Sequence, residues 1–360
     1  MHIALVIYSL KFSGGAERVL SNLANYWISK NHTISLITLD SKDANPFYPI
    51  DNAINLIQIN QTGSELSIIK RGYNILKRIF SLRTVIKNIK PNLIISFVDV
   101  MNITSLIATI NLKIPIIASE RTDPNYYKLP IFYNMLRKIF YFKAYKVITQ
   151  TESAAKYFKN LLKNIKIIPN PVFKPLLLKS NILKINTVVS VGRLCKFKGF
   201  DVLILAMAKL IKNYTNLKLI IYGEGYWRKN LENLINSLNL QNTVYLPGAV
   251  YDIQAELIKA DLFVFPSLYE GFPNALCEAM AVGLPVIASN CSGNTDIVRD
   301  KIDGLLFSIG DVDRLYKTIE DLINNQEHCN YLAANAKQIC ERFNQNKIFA
   351  LWDELLVNIV

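Results

Sequence analysis

Residues 262–288 read LFVFPSLYEGFPNALCEAMAVGLPVIA, and this stretch decides the fold class. Apolar runs at 262–265 and 285–288 stand at its two ends. Between them, a loop shaped by glycine and proline leads into a helical pattern from Asn274, which Gly283 ends. Two short apolar strands joined by a helix are typical of a parallel β-α-β unit, in which helices cover the sheet.

The same alternation of apolar runs and helical patterns extends along nearly the whole chain, which predicts an α/β protein with parallel sheets. The alternation pauses in the polar stretch that begins at Pro169 and starts again after Asn186. We therefore place a domain boundary near residues 170–185. The sequence predicts two Rossmann-like domains that face a cleft, with ligands at the carboxyl ends of the strands. The other predicted strands are residues 3–8, 34–39, 54–59, 93–97, 115–118, 146–149, 165–168, 187–191, 217–222, 243–246 and 304–307.

The positive charge of the chain is concentrated in its first half. The 41 Lys and Arg residues outnumber the 28 Asp and Glu residues, for a net charge of +13. Residues 1–180 carry a net charge of +15, whereas residues 181–360 carry −2. We expect the first half to meet an anionic partner, either nucleic acid, a phosphorylated ligand or a membrane surface.

Composition excludes several classes of protein. A content of 51% hydrophobic and 19% charged residues excludes a disordered chain. The first ten residues lack the basic segment of a signal peptide, and the most apolar span candidate, residues 93–112, is too polar for an unaided transmembrane helix. Five cysteines without a C-x-x-C spacing predict a reduced, cytosolic chain without a zinc site. With only three histidines, a Ser-His-Asp triad or a histidine metal centre is not expected.

The first candidate ligand-binding segment is SGGAER at residues 13–18, directly after the first predicted strand. Gly14 and Gly15 let the backbone approach a ligand, and the amides of the following helix favour an anion such as phosphate. An ordinary strand-to-helix turn is the alternative interpretation.

The second candidate is VGRLCKFKG at residues 191–199. Arg193 and Lys198 lie in one loop at the carboxyl end of a predicted strand. Together they could clamp two phosphates, the arginine through its planar fork and the lysine as a point charge. The alternative interpretation is a solvated basic loop.

The third candidate lies within the opening stretch, where Glu270 precedes the helix and Glu278 lies on it. Both carboxylates could face one pocket beside the helix start, whose amides offer another anion site. Carboxylates accept hydrogen bonds from sugar hydroxyls, so two of them beside a phosphate site suit a nucleotide sugar. Two surface acids remain the alternative.

At this third segment the chain resembles the retaining glycosyltransferases of family 4, which have the GT-B fold. The resemblance covers nearly the whole chain. Two further segments, ISFVD at 95–99 and SER at 119–121, are similar to members that extend bacterial polyprenyl-diphosphate-linked glycans, including α-N-acetylgalactosaminyltransferases. The matching motifs are S-G-G-A-E-R-V, G-R-L-x-x-x-K-G, the Y-G-E-G at 222–225, the P-G at 247–248, E-x7-E with E-A-M-A-x-G-x-P-V, and the region of Gly304.

The resemblance implies a UDP-sugar donor without a metal ion or other cofactor, and assigns roles to individual residues. Arg193 and Lys198 would hold the donor diphosphate, and Glu270 would contact the donor hexose. Glu278 would bind the ribose hydroxyls. The remaining roles fall to the backbone amides of Asn274, Ala275 and Leu276, which would support the sugar and phosphate, and to Gly14 and Gly15, which would let the first domain approach the reacting centre.

The same resemblance implies an activity and assigns a different substrate to each half of the chain. Residues 1–175 would take a polyprenyl-diphosphate-linked glycan acceptor and residues 180–342 the UDP-sugar, with a UDP-N-acetylhexosamine favoured. The last segment, residues 346–360, would pack back across the cleft. The expected enzyme is a hexosyltransferase or N-acetylhexosaminyltransferase that forms an α-glycosidic bond during surface-polysaccharide or glycan assembly. A UDP-sugar 2-epimerase and a nucleic-acid-binding protein are the alternatives, and no nucleic-acid-binding motif supports the second.

Several relatives place a histidine where this chain has Arg121, directly after Ser119-Glu120. A histidine base is therefore impossible at this position. The retaining mechanism that fits best is front-face attack, in which the leaving phosphate takes the acceptor proton and the enzyme stabilises the departing diphosphate.

Two basic segments without acidic residues predict attachment to the anionic inner face of the cytoplasmic membrane as a peripheral protein. Interleaved aromatic and aliphatic residues give them the pattern of amphipathic helices that lie in a headgroup region. In the alternative interpretation, the apolar sides pack on the sheet and leave a basic rim. The basic residues are Lys70, Arg71, Lys77, Arg78, Arg83, Lys87 and Lys90 within 66–98, and Lys128, Arg137, Lys138, Lys143 and Lys146 within 124–151.

Overall fold

The structure is a computed structural model that describes residues 1–62, 68–180, 182–357 and 359. The side chains of 68–71 are outside this description, so the predicted basic residues Lys70 and Arg71 lie outside the described side chains. The chain divides into two compact units. Unit 1 comprises Met1–Asn170 and Ile348–Val360, and unit 2 comprises Pro171–Lys347.

Unit 1 is built on a seven-stranded parallel sheet with the strand order β3-β2-β1-β4-β5-β6-β7. Its central strands are almost entirely buried apolar residues, as expected for a sheet covered on both faces. The strands are β1 (His2–Val6), β2 (Thr33–Thr38), β3 (Asn55–Gln58), β4 (Leu93–Phe97), β5 (Ile116–Ser119), β6 (Lys146–Thr149) and β7 (Ile165–Ile167). The helices that connect them are α1 (Gly15–Ser29), α2 (Ile68–Ile89), α3 (Asp99–Ala108), α4 (Ile131–Phe140) and α5 (Glu152–Lys159), with a 3₁₀ turn at Tyr141–Lys143.

Unit 2 repeats this plan with a six-stranded parallel sheet of order β10-β9-β8-β11-β12-β13. The strand order changes direction between β8 and β11, which makes their carboxyl ends the switch point where ligands bind in open parallel sheets. The strands are β8 (Thr187–Val191), β9 (Lys218–Tyr222), β10 (Val244–Gly248), β11 (Leu262–Phe265), β12 (Val286–Ser289) and β13 (Leu305–Phe307). The helices are α6 (Phe200–Leu210), α7 (Arg228–Ser237), α8 (Ile253–Leu257), α9 (Asn274–Val282), α10 (Ser292–Thr295), α11 (Val312–Asn324), α12 (Gln326–Ala336) and α13 (Ile339–Arg342), with a 3₁₀ turn at Lys196–Lys198.

The last helix, α14 (Gln345–Val357), contributes its aromatic face to the core of unit 1. The buried Trp352 ring stacks on Phe97 at a centroid distance of 6.2 Å and meets Trp27 edge-on at 6.4 Å. Next to it, Asp353 accepts hydrogen bonds from the Tyr26 hydroxyl at 2.6 Å and from the Trp27 indole nitrogen at 2.8 Å. The end of the chain is therefore an integral part of the first unit.

The five cysteines are buried thiols. Among the residues that the structure describes, no helix is long and apolar enough to cross a bilayer. The same residues contain no group of three or more His, Cys, Asp or Glu side chains placed to hold a metal ion.

We predict that unit 1 depends on the aromatic contact made by α14. Replacement of Trp352 by alanine leaves a cavity between Phe97 and Trp27, and the free energy of unfolding should fall by about 3–5 kcal/mol. Chemical denaturation measures the change. Val357→Ala, at a position that is 76% exposed on the same helix, is the matched control and should change stability little. Equal stabilities of the two variants would contradict the prediction.

Candidate active site

At the carboxyl edge of the sheet in unit 2, the loops after β8 and β9 are in direct backbone contact. The Gly192 and Leu194 amides donate hydrogen bonds to the carbonyl oxygens of Tyr222 and Glu224, each at 2.9 Å. Gly223 has a φ of 141°, and a Cβ atom there would lie 2.0 Å from the Gly192 carbonyl oxygen. Only glycine allows this approach, so the Y-G-E-G segment holds the loop that carries Arg193 and Lys198 in place.

The loop after β8 is also fixed to the loop after β11. Gly199 has a φ of 66°, and a Cβ atom at this position would lie 2.2 Å from the Pro266 carbonyl oxygen. The Leu268 amide donates to the Phe197 carbonyl oxygen at 2.8 Å, and the Phe197 and Tyr269 rings stack at 4.7 Å. The second and third candidate segments are therefore joined by backbone and side-chain contacts.

Lys198 and Glu270 form an ion pair across this junction. The lysine Nζ lies 2.5 Å from the glutamate Oε1, and the two side chains are only 14% and 11% exposed. The Lys198 ammonium also lies 4.9 Å from the centroid of the Phe265 ring, and its stem lies over Gly192. Two of the residues predicted from sequence to contact different parts of a donor are thus bound to each other in this structure.

A residue that the sequence analysis missed, Gly293 on α10, supports Glu270 from the other side. A Cβ atom at Gly293 would lie 2.7 Å from the Gly271 carbonyl oxygen and 2.8 Å from the Cβ of Glu270. A larger residue would push the Glu270 loop away. In the sequence, Gly293 could have been found as the glycine that follows the strand β12. The carboxyl ends of neighbouring parallel strands meet at one sheet edge, so a residue after β12 lies close to the loop after β11.

Helix α9 presents its positive end beside this loop. It begins at Asn274, so the amides of Ala275 and Leu276 belong to the first turn, where no intrahelical acceptor exists. Glu278 is half-buried and lies one turn further along the helix, on the face of Asn274. The helix therefore combines anion-attracting amides with a carboxylate that can accept hydrogen bonds from hydroxyl groups.

Arg193 stands apart from the ion pair. Its side chain is exposed and has no ion-pair partner among the described residues, while its carbonyl oxygen accepts a weak hydrogen bond from the Cys195 thiol at 3.3 Å. The structure thus places Arg193 in the same loop as Lys198 without joining it to Glu270. Its guanidinium is accessible to an anionic ligand from solvent.

In unit 1, Gly14 and Gly15 stand at the start of α1, as expected for the first candidate segment. A Cβ atom at Gly14 would lie 2.1 Å from the Oε2 of Glu17, which folds back toward the helix start. A carboxylate in the first turn is favoured by the helix dipole. In this structure the space beside Gly14 is occupied by an acidic side chain of the chain itself.

The carboxyl ends of β4 and β5 carry two buried acids. Glu120 is 1% exposed and accepts a short hydrogen bond from the Tyr141 hydroxyl, while Asp99 is 3% exposed. Burial, with an added effect from the nearby Asp99 charge, raises the pKa of Glu120 to about 7, and burial also raises the pKa of Asp99. The residue before Asp99, the β-branched Val98, has a φ of 74°, a strained conformation that concentrates at functional sites.

The two arginines near these acids are largely removed from solvent. The expectation that Arg137 is a surface charge is wrong: it is 4% exposed, donates to the Tyr157 hydroxyl at 2.9 Å and helps compensate the buried acids. Arg121 lies 4.2 Å above the Phe97 ring and donates to the Asn170 side-chain oxygen at 2.8 Å. Burial lowers the pKa of Arg121 to about 9.

Comparison with known proteins identifies families along both units. Residues 13–173 match the family described as Glycosyltransferase Family 4, and residues 179–339 match the family described as glycosyl transferases group 1. The chain is 31% identical, over 100% of its length and 99% of the relative's, to a Campylobacter jejuni GalNAc-alpha-(1->4)-GalNAc-alpha-(1->3)-diNAcBac-PP-undecaprenol alpha-1,4-N-acetyl-D-galactosaminyltransferase.

Two further proteins are similar to this chain. An Escherichia coli UDP-Gal:alpha-D-GlcNAc-diphosphoundecaprenol alpha-1,3-galactosyltransferase is 33% identical over 54% of this chain and 55% of the relative. The structure superposes on a sucrose-phosphate synthase from Thermosynechococcus elongatus with a TM-score of 0.88 and 18% identity, covering 99% of this chain and 98% of that one. This likeness confirms the predicted GT-B fold of two Rossmann-like units.

The buried carboxyl of Glu120 predicts a pH dependence of stability. Its pKa is about 7 in the folded chain against an ordinary value of 4.5, so the folded chain holds the proton more tightly. The contribution of this proton to the free energy of unfolding is complete below the ordinary pKa of 4.5. It is lost as the pH rises through 7, and the loss amounts to up to about 3 kcal/mol. Glu120→Gln, which stays neutral, should flatten the melting temperature between pH 5 and pH 8. Glu152→Gln, at an exposed position, should keep the wild-type slope; equal slopes in all three proteins would refute the assignment.

Proposed function

Since the chain belongs to the glycosyltransferases that combine a family 4 domain with a group 1 domain, we propose that it transfers an N-acetylhexosamine from a UDP-sugar to a polyprenyl-diphosphate-linked glycan, with formation of an α-glycosidic bond. The full-length Campylobacter relative supports the sugar, the acceptor class and the linkage by what its name states, and the Escherichia coli relative supports a UDP-linked donor. The observation that carries the proposal is the junction of Lys198 and Glu270 at the switch point of the sheet in unit 2.

The donor would bind along the carboxyl edge of this sheet. Lys198 and the exposed Arg193 would neutralise the diphosphate, and the amides of Ala275 and Leu276 would add hydrogen-bond donors to it. Glu278 would accept hydrogen bonds from the ribose hydroxyls. Glu270 would accept them from the hexose, so each charged group would have one part of the donor as its partner.

We propose front-face transfer with retention of configuration. The bond between the anomeric carbon and the β-phosphate oxygen breaks while the acceptor hydroxyl attacks from the same face. The hydroxyl proton passes to the phosphate oxygen that leaves, so UDP departs with the proton and the acceptor gains the sugar. Lys198, Arg193 and the helix amides supply the countercharge that grows on the diphosphate, and the proposed reaction needs no metal ion.

The acceptor lipid implies work at a membrane surface, and we propose that unit 1 docks on the anionic cytoplasmic face of the inner membrane. Large apolar side chains are exposed on and near α2 and α4, next to exposed lysines, which is the composition of helices that lie in a headgroup region. Lys138 is exposed on α4, and Lys128 and Lys143 are exposed beside it. The exposed apolar residues are Tyr73, Leu76 and Phe80 on α2, and Tyr126, Tyr127, Ile131, Phe132, Met135, Ile139 and Phe142 around α4.

The proposed activity predicts strong effects of the two cations. Loss of Lys198 or Arg193 removes charge stabilisation of the leaving diphosphate, so Lys198→Ala and Arg193→Ala should each lower kcat by roughly 100-fold. The assay follows sugar transfer from a panel of UDP-N-acetylhexosamines to short polyprenyl-diphosphate glycans, with the linkage determined by NMR. Lys209→Ala, which removes a surface lysine paired with Asp313, is the control and should stay near wild type.

Two results would overturn the proposed reaction. Near wild-type turnover of the Lys198 and Arg193 variants would remove the charge-stabilisation account. Epimerised UDP-sugar formed without any acceptor would favour the 2-epimerase alternative.

The membrane proposal predicts a lipid preference. The protein should co-sediment with phosphatidylglycerol-containing vesicles, and more weakly as salt rises, because exposed charges are screened. Ile131→Glu should weaken this binding, since it replaces an exposed apolar side chain by a negative charge that the anionic lipids repel. Tyr331→Glu, at an exposed aromatic position in unit 2, is the matched control. Binding that is indifferent to salt, or tighter binding to oligonucleotides than to vesicles, would contradict the proposal.

A further inference from the structure

The ion pair between Lys198 and Glu270 has an unusual setting for a ligand-binding site. Nearly nine-tenths of each side chain is covered, and neither residue has another ion-pair partner among the described residues. The backbone on both sides is held by close glycine contacts, at Gly199 for the lysine and at Gly293 for the glutamate. The backbone around both residues therefore holds the pair in place.

Breaking such a pair has a large energetic consequence. Removing one partner of a buried ion pair leaves the other charge uncompensated in a poorly solvated place. A diphosphate that draws Lys198 away would therefore leave Glu270 unpaired and would bring further negative charge close to it. A UDP-sugar, unlike UDP, carries hexose hydroxyls that can donate hydrogen bonds to the freed carboxylate.

We propose that Glu270 competes with the donor diphosphate for Lys198 and that re-formation of their ion pair promotes release of UDP after sugar transfer. This inference rests on the proposed function and adds a second role for Glu270. While the intact donor is bound, the hexose satisfies Glu270 and the diphosphate satisfies Lys198. Once the hexose has moved to the acceptor, Glu270 loses its hydroxyl donors, recaptures the lysine ammonium and weakens the hold on UDP.

The exchange needs only side-chain movement. Lys198 is a flexible four-carbon stem that ends in a point charge, so it can turn from a carboxylate to a phosphate without a change in the backbone. The lysine stem lies over Gly192, which has no side chain to obstruct it, and the ammonium lies 4.9 Å from the centroid of the Phe265 ring. A planar guanidinium in place of the ammonium would need a different geometry for each partner.

The test is the substitution Glu270→Gln. The amide keeps the shape and an oxygen that accepts sugar hydroxyls, but it lacks the charge that recaptures Lys198. UDP should bind about tenfold more tightly to this variant, since the competing charge is gone. The affinity for UDP-sugar should not gain in the same proportion. Isothermal titration calorimetry with UDP and with UDP-N-acetylhexosamine gives both constants.

Two companion variants separate the ion pair from other effects. Glu270→Asp keeps the charge but shortens the side chain by one methylene, so its affinity for UDP should lie between those of wild type and Glu270→Gln. Glu341→Gln removes one negative charge from an exposed side chain of the same unit and should also leave UDP binding unchanged. Product inhibition supplies a kinetic readout, and the inhibition constant of UDP should fall most in Glu270→Gln.

The outcomes distinguish this inference from the proposed function. Unchanged or weaker UDP binding by a folded Glu270→Gln protein overturns the competition, even if the wild type transfers sugar as proposed. The competition is also overturned if Glu341→Gln tightens UDP binding as much, because the effect is then one of net charge. Failure of the wild type to bind UDP or UDP-sugar overturns the donor assignment itself, and the inference with it.

Discussion

The close approach of the strand-end loops in unit 2 is the constraint on which the rest of the site depends. Gly199 has a left-handed backbone and lies against the Pro266 carbonyl oxygen, while Gly293 lies against the backbone of Glu270. Because no side chain separates these segments, residues 72 positions apart in the sequence come within 2.5 Å as the Lys198–Glu270 pair. Any larger residue at these glycines would spread the loops and separate the two charges.

The basic residues of unit 1 fall into two structural groups, one exposed and one buried. Exposed lysines around α4 belong to the surface that we propose to dock on a membrane. Arg137 belongs to the same basic segment of the sequence, but it is buried near Asp99 and Glu120, where its charge compensates the two acids. The basic residues of unit 1 therefore lie both on its surface and in its interior.

The sequence predicts the framework well because buried parallel strands are uninterrupted apolar runs. The predicted bounds 93–97, 146–149, 187–191 and 262–265 agree with the structure, and the full-length relative confirms the family resemblance. The sequence also locates the two loops of unit 2, since each follows a strand. It does not reveal that Lys198 and Glu270 pair, because side-chain contacts between distant segments depend on backbone geometry. It misreads Arg137, because a basic residue at helical spacing is usually solvated.

Two of the candidate anion sites contain an acidic side chain of the chain itself. Glu17 lies beside the start of α1 in unit 1, and Glu270 lies beside Lys198 in unit 2. A positively charged site without its ligand is costly if desolvated, and an internal carboxylate reduces this cost. In the exchange proposed at Lys198, the donor must satisfy the displaced Glu270 carboxylate as well as the cation. The proposed exchange would derive its selectivity from the hexose hydroxyls that the donor offers to Glu270, in addition to the charge of its phosphates.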